Sequence, residues 1–147
     1  VYFHIVGEFT AQREREECIP IIKNNHLATY VILHGRLCGK ALDALFEHCD
    51  LGIGSLGRHR SGITYIKTLK NREYAARGIP FIYSEVDEDF ETQPYIMKIP
   101  ANESPVNIPE VIEFYHKINL TPNKIRESVN HLSWKEQMDK VIASTQI

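Results

Sequence analysis

Short apolar runs punctuate the chain at Tyr2–Val6, Tyr30–His34, Leu51–Leu56, Pro80–Ser84 and Tyr95–Ile99. None alternates cleanly between apolar and polar positions. That pattern predicts strands covered on both faces, as in a parallel sheet. Helical spacing fills the intervals. Gln12–Asn25 opens on Arg13, Glu14, Arg15, Glu16 and Glu17 and continues through Ile19, Ile21 and Ile22. Lys40–Cys49 puts Leu42, Leu45, Phe46 and Cys49 on one helical face. Thr64–Arg77 offers Ile66, Leu69, Tyr74 and Ala75, and Gly78 with Pro80 supplies a stop signal. Strand and helix alternate, which predicts right-handed βαβ units. The expected fold is α/β, a Rossmann-like parallel sheet of about five strands flanked by helices.

The last third reads as helix throughout. Asn107-Ile108-Pro109-Glu110 opens one helix, with Val111, Phe114, Tyr115 and Ile118 as its apolar face. Thr121-Pro122 opens the next, a cap followed by proline in the first turn. Ser133-Trp134-Lys135-Glu136 is a capping box, and Met138, Val141 and Ile142 follow it.

Composition fits an ordinary globular domain. With 147 residues, 43% hydrophobic and 24% charged, the chain is neither disordered, nor collagenous, nor a coiled coil. A single domain, 1–147, of this length buries about 70% of its unfolded surface. The net charge of −2 argues against a domain that coats nucleic acid. Cys18, Cys38 and Cys49 are an odd set without a C-x-x-C, so the expectation is a reduced, cytoplasmic protein. His34 with Cys38 and His48 with Cys49 lack a second pair at ligand spacing, so no metal is expected. No apolar run approaches the roughly 18 residues of a membrane span, and no leader pattern is present. The chain opens on Val1 inside a strand-like run, which points to a piece of a longer protein.

Charge is distributed unevenly. Between Arg58 and Arg77 lie Arg58, Arg60, Lys67, Lys70, Arg72 and Arg77 against the single acid Glu73. Between Glu85 and Glu91 lie Glu85, Asp87, Glu88, Asp89 and Glu91 with no base. The acidic run reads as a solvated loop, and its Asp87-Glu88-Asp89 matches a D-x-D metal motif only superficially.

Gly52-Ile53-Gly54-Ser55-Leu56-Gly57 spells G-x-G-x-x-G. A dinucleotide fingerprint needs a strand before the glycines and a helix opening within them. Here a helix precedes and the glycines sit in the strand, so small residues for close packing are the better account. Gly57-Arg58-His59-Arg60-Ser61-Gly62 carries more chemistry. It follows a strand, and open parallel sheets bind ligands beyond the carboxyl ends of their strands. Its glycines let backbone N–H groups approach an anion, the helix start that follows adds positive potential, and Arg58, His59 and Arg60 supply charge. A charge-assisted hydrogen bond contributes about 1.5–3 kcal/mol, enough for two to dominate diphosphate binding. The alternative is a solvated basic loop. Lys70 and Glu73 stand three apart on one helical face. They suit either an exposed ion pair or a division of labour, with lysine on phosphate and carboxylate on ribose hydroxyls.

The stretch from Leu69 to Ile82, L-K-N-R-E-Y-A-A-R-G-I-P-F-I, resembles the signature of group 1 glycosyltransferases of the GT-B class, which use nucleotide-sugar donors. Phe3-His4-Ile5-Val6-Gly7-Glu8 resembles that family's I-V-G-x-G strand end, Val31-Ile32-Leu33-His34-Gly35 its V-x-F-x-G strand, Leu42–Asp50 its L-x-x-x-Y-x-x-A-D, and Ser133-Trp134 its S-W. The likeness covers about residues 1–145 in order.

The resemblance implies a donor-nucleotide-binding domain of a two-domain enzyme of polysaccharide or glycan biosynthesis. It implies Arg60 and Lys70 as the catalytic cations facing the diphosphate, with backbone N–H groups near Ser61 and Gly62 assisting. Glu73 would hold the donor ribose, His59 would lie near the sugar or phosphates, and Gly35 and Arg36 would border the base. The partners implied are the nucleotide-sugar donor and a glycan or lipid-linked acceptor held by an N-terminal domain preceding Val1. No cofactor beyond the donor and no metal are implied, and the isolated piece is expected to be inactive. Tyr65 stands where many retaining members carry a second glutamate, so sugar and stereochemical outcome stay open. The alternative from a different class is a non-catalytic Rossmann-like interaction or regulatory module, with its partner on the Arg58–Arg72 face.

Overall fold

In a computed structural model, the described residues are 1–9 and 12–145; the side chains of Arg13 and Glu14 lie outside that set. The chain forms two compact units, Val1–His48 and Cys49–Ile147.

The first unit runs β1 (Phe3–Val6), α1 (Gln12–Asn24), β2 (Val31–Gly35), α2 (Gly39–Phe46). β1 and β2 pair in parallel, with Phe3 opposite Val31 and Ile5 opposite Leu33. The register then slips, so that Val6 faces Gly35 and His34 has no opposite number. The slipped residue packs its imidazole on that of His4, Nε2 to Nδ1 at 2.8 Å. α1 continues through Pro20, at the loss of one internal hydrogen bond. None of the described residues of this unit is fully buried.

The second unit continues with β3 (Gly52–Ile53), a 3-10 turn at Arg58–Ser61, α3 (Leu69–Arg77), β4 (Phe81–Tyr83) and β5 (Ile96–Lys98). It ends in α4 (Ile108–Lys117), α5 (Pro122–Ser128), a second 3-10 turn at Asn130–Leu132, and α6 (Trp134–Thr145). Its strands form a parallel sheet in the order β3-β4-β5, with Gly52 and Ile96 both opposite Phe81.

All five expected strands form, and all pair in parallel, but they divide between a two-stranded and a three-stranded sheet. The expected single sheet of five is therefore corrected. An apolar run specifies a strand without naming its neighbour, and here β1 bonds β2 while β3 bonds β4. The run Leu51–Leu56 is also shorter as a strand than expected, Gly52–Ile53, although the Gly54 N–H reaches the Ile82 carbonyl at 2.8 Å and the Ser84 N–H reaches the Ser55 carbonyl at 3.0 Å.

The helix expected from Thr64 begins at Leu69. Thr64–Ile66 is instead drawn alongside Val86, whose N–H donates to the Thr64 carbonyl at 2.8 Å while that of Ile66 donates to Val86 at 3.0 Å. Thr68 then caps α3 by accepting from the Asn71 N–H. The C-terminal third is helical as expected: Asn107 and Thr121 cap α4 and α5, and the Ser133 hydroxyl accepts from the Glu136 N–H at the start of α6.

β4 is the centre of the second unit. Phe81 and Tyr83 point to one side, into a cluster with Ala75 of α3, Phe90, Tyr95, Ile125 of α5 and Val129. Ile82 points to the other side and meets Ile99 and Val111 of α4. Helices thus cover both faces of this sheet, which explains the unbroken apolar character of β4. The Phe81 ring contacts Phe90 and Tyr95 edge-on, the geometry that aromatic quadrupoles favour.

Candidate functional site

The carboxyl ends of β3, β4 and β5 lead into the turn at Arg58–Ser61, the acidic segment from Glu85, and the loop after Lys98. Glycine lets the chain at Gly52 and Gly54 approach α3 and β4. A Cβ on Gly52 would stand 2.6 Å from the Tyr74 ring, and one on Gly54 would stand 2.7 Å from Asn71 Oδ1 and 2.9 Å from Tyr83 Cβ. The close-packing account of the G-x-G-x-x-G run is borne out at Gly52 and Gly54, while at Gly57 no atom lies within 4 Å of an added Cβ.

The acidic run is solvated only in part: Glu88 and Glu91 are exposed, but for Glu85 and Asp87 the expectation is corrected. Glu85 is 3% exposed and Asp87 0%. Arg72 explains why. Its Nη1 donates to Asp87 Oδ2 at 3.1 Å and to the Thr68 carbonyl at 2.9 Å, and its Nη2 donates to Asp87 Oδ1 and Asp89 Oδ2. Asn71 Nδ2 adds a bond to Asp87 Oδ2 at 3.1 Å, and the guanidinium lies over the Phe90 ring. Lys67 reaches Asp89 from the outside at 3.2 Å. Partial burial works against the charge of Asp89, but Lys67 and Arg72 outweigh it and hold that carboxyl below its ordinary range. Glu91 is held low in the same way: burial opposes its charge, while Lys98 and the Tyr83 hydroxyl favour it. The Tyr83 phenol is driven strongly upward by burial and by Glu91. These bonds tie α3 to the segment after β4, so the acids in the run serve the scaffold.

The basic turn is anchored from the same segment. The Arg58 N–H donates to Glu85 Oε1 at 3.1 Å, and Gly62 closes the turn at φ +68°. His59 and Arg60 then converge on Glu103. His59 Nε2 and Arg60 Nε each lie 2.8 Å from Glu103 Oε1, and Arg60 Nη2 bonds Oε2. Arg60 first, and then His59, hold the Glu103 carboxyl down at about 2. Ser61 is exposed beside them.

On α3, Lys70 is exposed in the first turn and makes no ion pair among the described residues. Glu73 does not pair with Lys70. It accepts from Arg77 Nη2 at 3.1 Å and Nε at 3.2 Å, because the longer guanidinium one turn later meets it in a fork. No described contact joins Arg60, Lys70 and Glu73 to one another. In the first unit, Gly35 ends β2 at φ +65° with its carbonyl accepting from Gly7, and Arg36 is exposed.

In the second unit a cavity of about 310 Å³ is lined by Tyr65, Ile66, Lys67, Val86 and Glu88. Among the described residues no group of three or more His, Cys, Asp or Glu converges to hold a metal ion, and no helix is long and apolar enough to cross a membrane. Glu103 and Asn71 carry site geometry that the sequence did not single out, and Asp87, read there as solvated, is buried. For Glu103 a signal existed, since it follows the carboxyl end of β5 as Arg60 follows that of β3.

Comparison of the chain with protein-family models, with curated proteins and with solved structures finds no match.

Proposed function

We propose that this chain is the Rossmann-like donor-binding part of a cytoplasmic GT-B glycosyltransferase. It takes a nucleoside diphosphate sugar whose glycosyl group passes to a glycan or lipid-linked acceptor held by a further domain. The observation that carries the reading is the amino end of α3: Thr68 caps it, and Lys70 in its first turn is exposed and without an ion pair among the described residues. Helix dipole and ammonium together favour an anion there. One turn on, Glu73 pairs at the surface with Arg77. Such exposed pairs contribute little, so exchanging Arg77 for ribose hydroxyls costs little.

In this reading the departing nucleoside diphosphate gathers negative charge as the glycosyl bond breaks. Lys70 and Arg60 stabilise that charge, with N–H groups near Ser61 and Gly62 assisting. His59 contributes at the phosphates, and Gly35 and Arg36 border the base.

The test is calorimetric titration of UDP, GDP and their sugars into wild type, Lys70→Ala and Glu73→Ala. The expected result is one preferred nucleotide, with each variant weakened at least about tenfold by loss of a charge-assisted contact. Equal affinity for wild type and Glu73→Ala removes Glu73 from the ribose role, and no binding by any nucleotide sinks the donor reading. One observation favours the second reading, an interaction module: the donors of His59 and Arg60 are already met by Glu103. That module binds no nucleotide in the same titration.

A further inference from the structure

We infer that Glu103 is the internal ligand of an oxyanion site made by His59 and Arg60, and that a diphosphate binds there by displacing it. The inference rests on the donor reading for the identity of the anion. The site itself rests on geometry. Neighbouring residues of one tight turn aim an imidazole Nε2 and a guanidinium Nε at the same carboxylate oxygen, each at 2.8 Å, while Nη2 takes the other oxygen. Convergent N–H donors around a single oxyanion are what a phosphate group requires, and the planar fork of arginine suits it.

The turn does not depend on Glu103 for its shape. Its first N–H is held by the carboxylate of Glu85, itself 3% exposed, and Gly62, in the left-handed region, closes it. His59 Nδ1 is buried and makes no hydrogen bond among the described residues. Nε2 is therefore the donating nitrogen, since the carboxylate it faces only accepts. The occupant, by contrast, is loosely held. Glu103 lies in an irregular loop between β5 and α4, and the side chains of Arg60 and Glu103 are 63% and 62% exposed. A pair so exposed contributes little and exchanges with solutes. The depressed Glu103 carboxyl reports that this spot favours negative charge. Glu103 thus lowers the apparent affinity of the turn for any competing oxyanion, by the strength of its own attachment.

The experiment titrates inorganic pyrophosphate and, separately, UDP into wild type, Glu103→Gln, Arg60→Gln and Glu127→Gln. Binding is followed by calorimetry and by the His59 ring and Arg60 Nε resonances. Glu127→Gln makes the same charge change on α5 and controls for net charge. Urea unfolding of each variant checks that the fold is intact. The expected result is binding tightened about two- to fivefold in Glu103→Gln, weakened at least about tenfold in Arg60→Gln, and unchanged in Glu127→Gln. Tightening with both ligands assigns the site to the diphosphate group. Tightening with UDP alone makes the nucleoside part of what Glu103 excludes, and overturns the diphosphate assignment. Measurable binding that is equal in wild type and Glu103→Gln, or tightened equally by Glu127→Gln, overturns the internal-ligand inference while the donor reading stands. Failure of both ligands to bind wild type and Glu103→Gln overturns both.

Discussion

Arg72 grips Asp87 through both nitrogens of its fork, Nη1 to Oδ2 at 3.1 Å and Nη2 to Oδ1 at 3.4 Å, and the carboxylate it holds is fully buried. Removing one partner of such a pair strands the other charge in a poor solvent. Arg72→Ala is expected to cost about 3–5 kcal/mol in urea unfolding. Arg72→Lys keeps the charge but not the fork, and should recover only part of the loss. A wild-type midpoint for Arg72→Ala would show that the Arg72–Asp87 pair does not hold the fold together.

Gly78 ends α3 at φ +78°, and a Cβ there would stand 2.6 Å from the Pro122 carbonyl oxygen at the start of α5. Both the backbone conformation and the contact exclude a side chain. Gly78→Ala should lower stability by about 2 kcal/mol or more by thermal unfolding. An unchanged melting temperature would mean that α5 does not pack against the end of α3.

Gly54 has an ordinary φ, and its constraint is one of space. Its added Cβ would meet the Asn71 amide and Tyr83 at under 3.0 Å. Gly54→Ala should cost about 1–3 kcal/mol through overpacking. Gly57→Ala, where no atom lies within 4 Å of the new carbon, should leave stability within about 0.5 kcal/mol of wild type. Equal effects at the two positions would contradict the packing of β3 against α3.

The carboxyl of Glu103 is held at about 2 by Arg60 and His59. Its folded value lies below the unfolded one, so the clasp stabilises the fold above the ordinary glutamate range. That contribution fades as pH falls from that range toward about 2. Carbon-13 titration of the side chain should give a midpoint near the lower end in wild type, moving up to the usual range in Arg60→Gln. A usual midpoint in wild type means that the clasp does not form in solution.

Glu73 offers a separation of stability from binding. Its contact with Arg77 is at the surface, so Glu73→Gln should unfold within about 0.5 kcal/mol of wild type. The same variant should lose nucleotide affinity in calorimetry. A large stability loss would instead assign the carboxylate to the scaffold.

Strands and caps were legible because their signals are local. The runs around Phe3, Val31, Phe81 and Ile96 became strands, and Thr121 and Ser133 cap helices where the sequence placed them. What proved illegible depends on distant partners. The extended path of Thr64–Ile66 is imposed by Val86, and the helical pattern there yields to it. The acids Glu85 and Asp87 look solvated in sequence because nothing local reveals that Arg72 and the Arg58 N–H will meet them. Among the expected site residues, the turn at His59 and Arg60 was legible from its charge, but its partner Glu103 comes from a different strand end.

β4 has one further consequence. Ile82 serves the cluster with Val111, while Phe81 and Tyr83 on either side serve the cluster with Ile125. Two cores on a three-residue strand cannot loosen one at a time, since freeing either moves the backbone that both share. The second unit should therefore open in a single cooperative step, and the amides of Phe81, Ile82 and Tyr83 should exchange with solvent last and together.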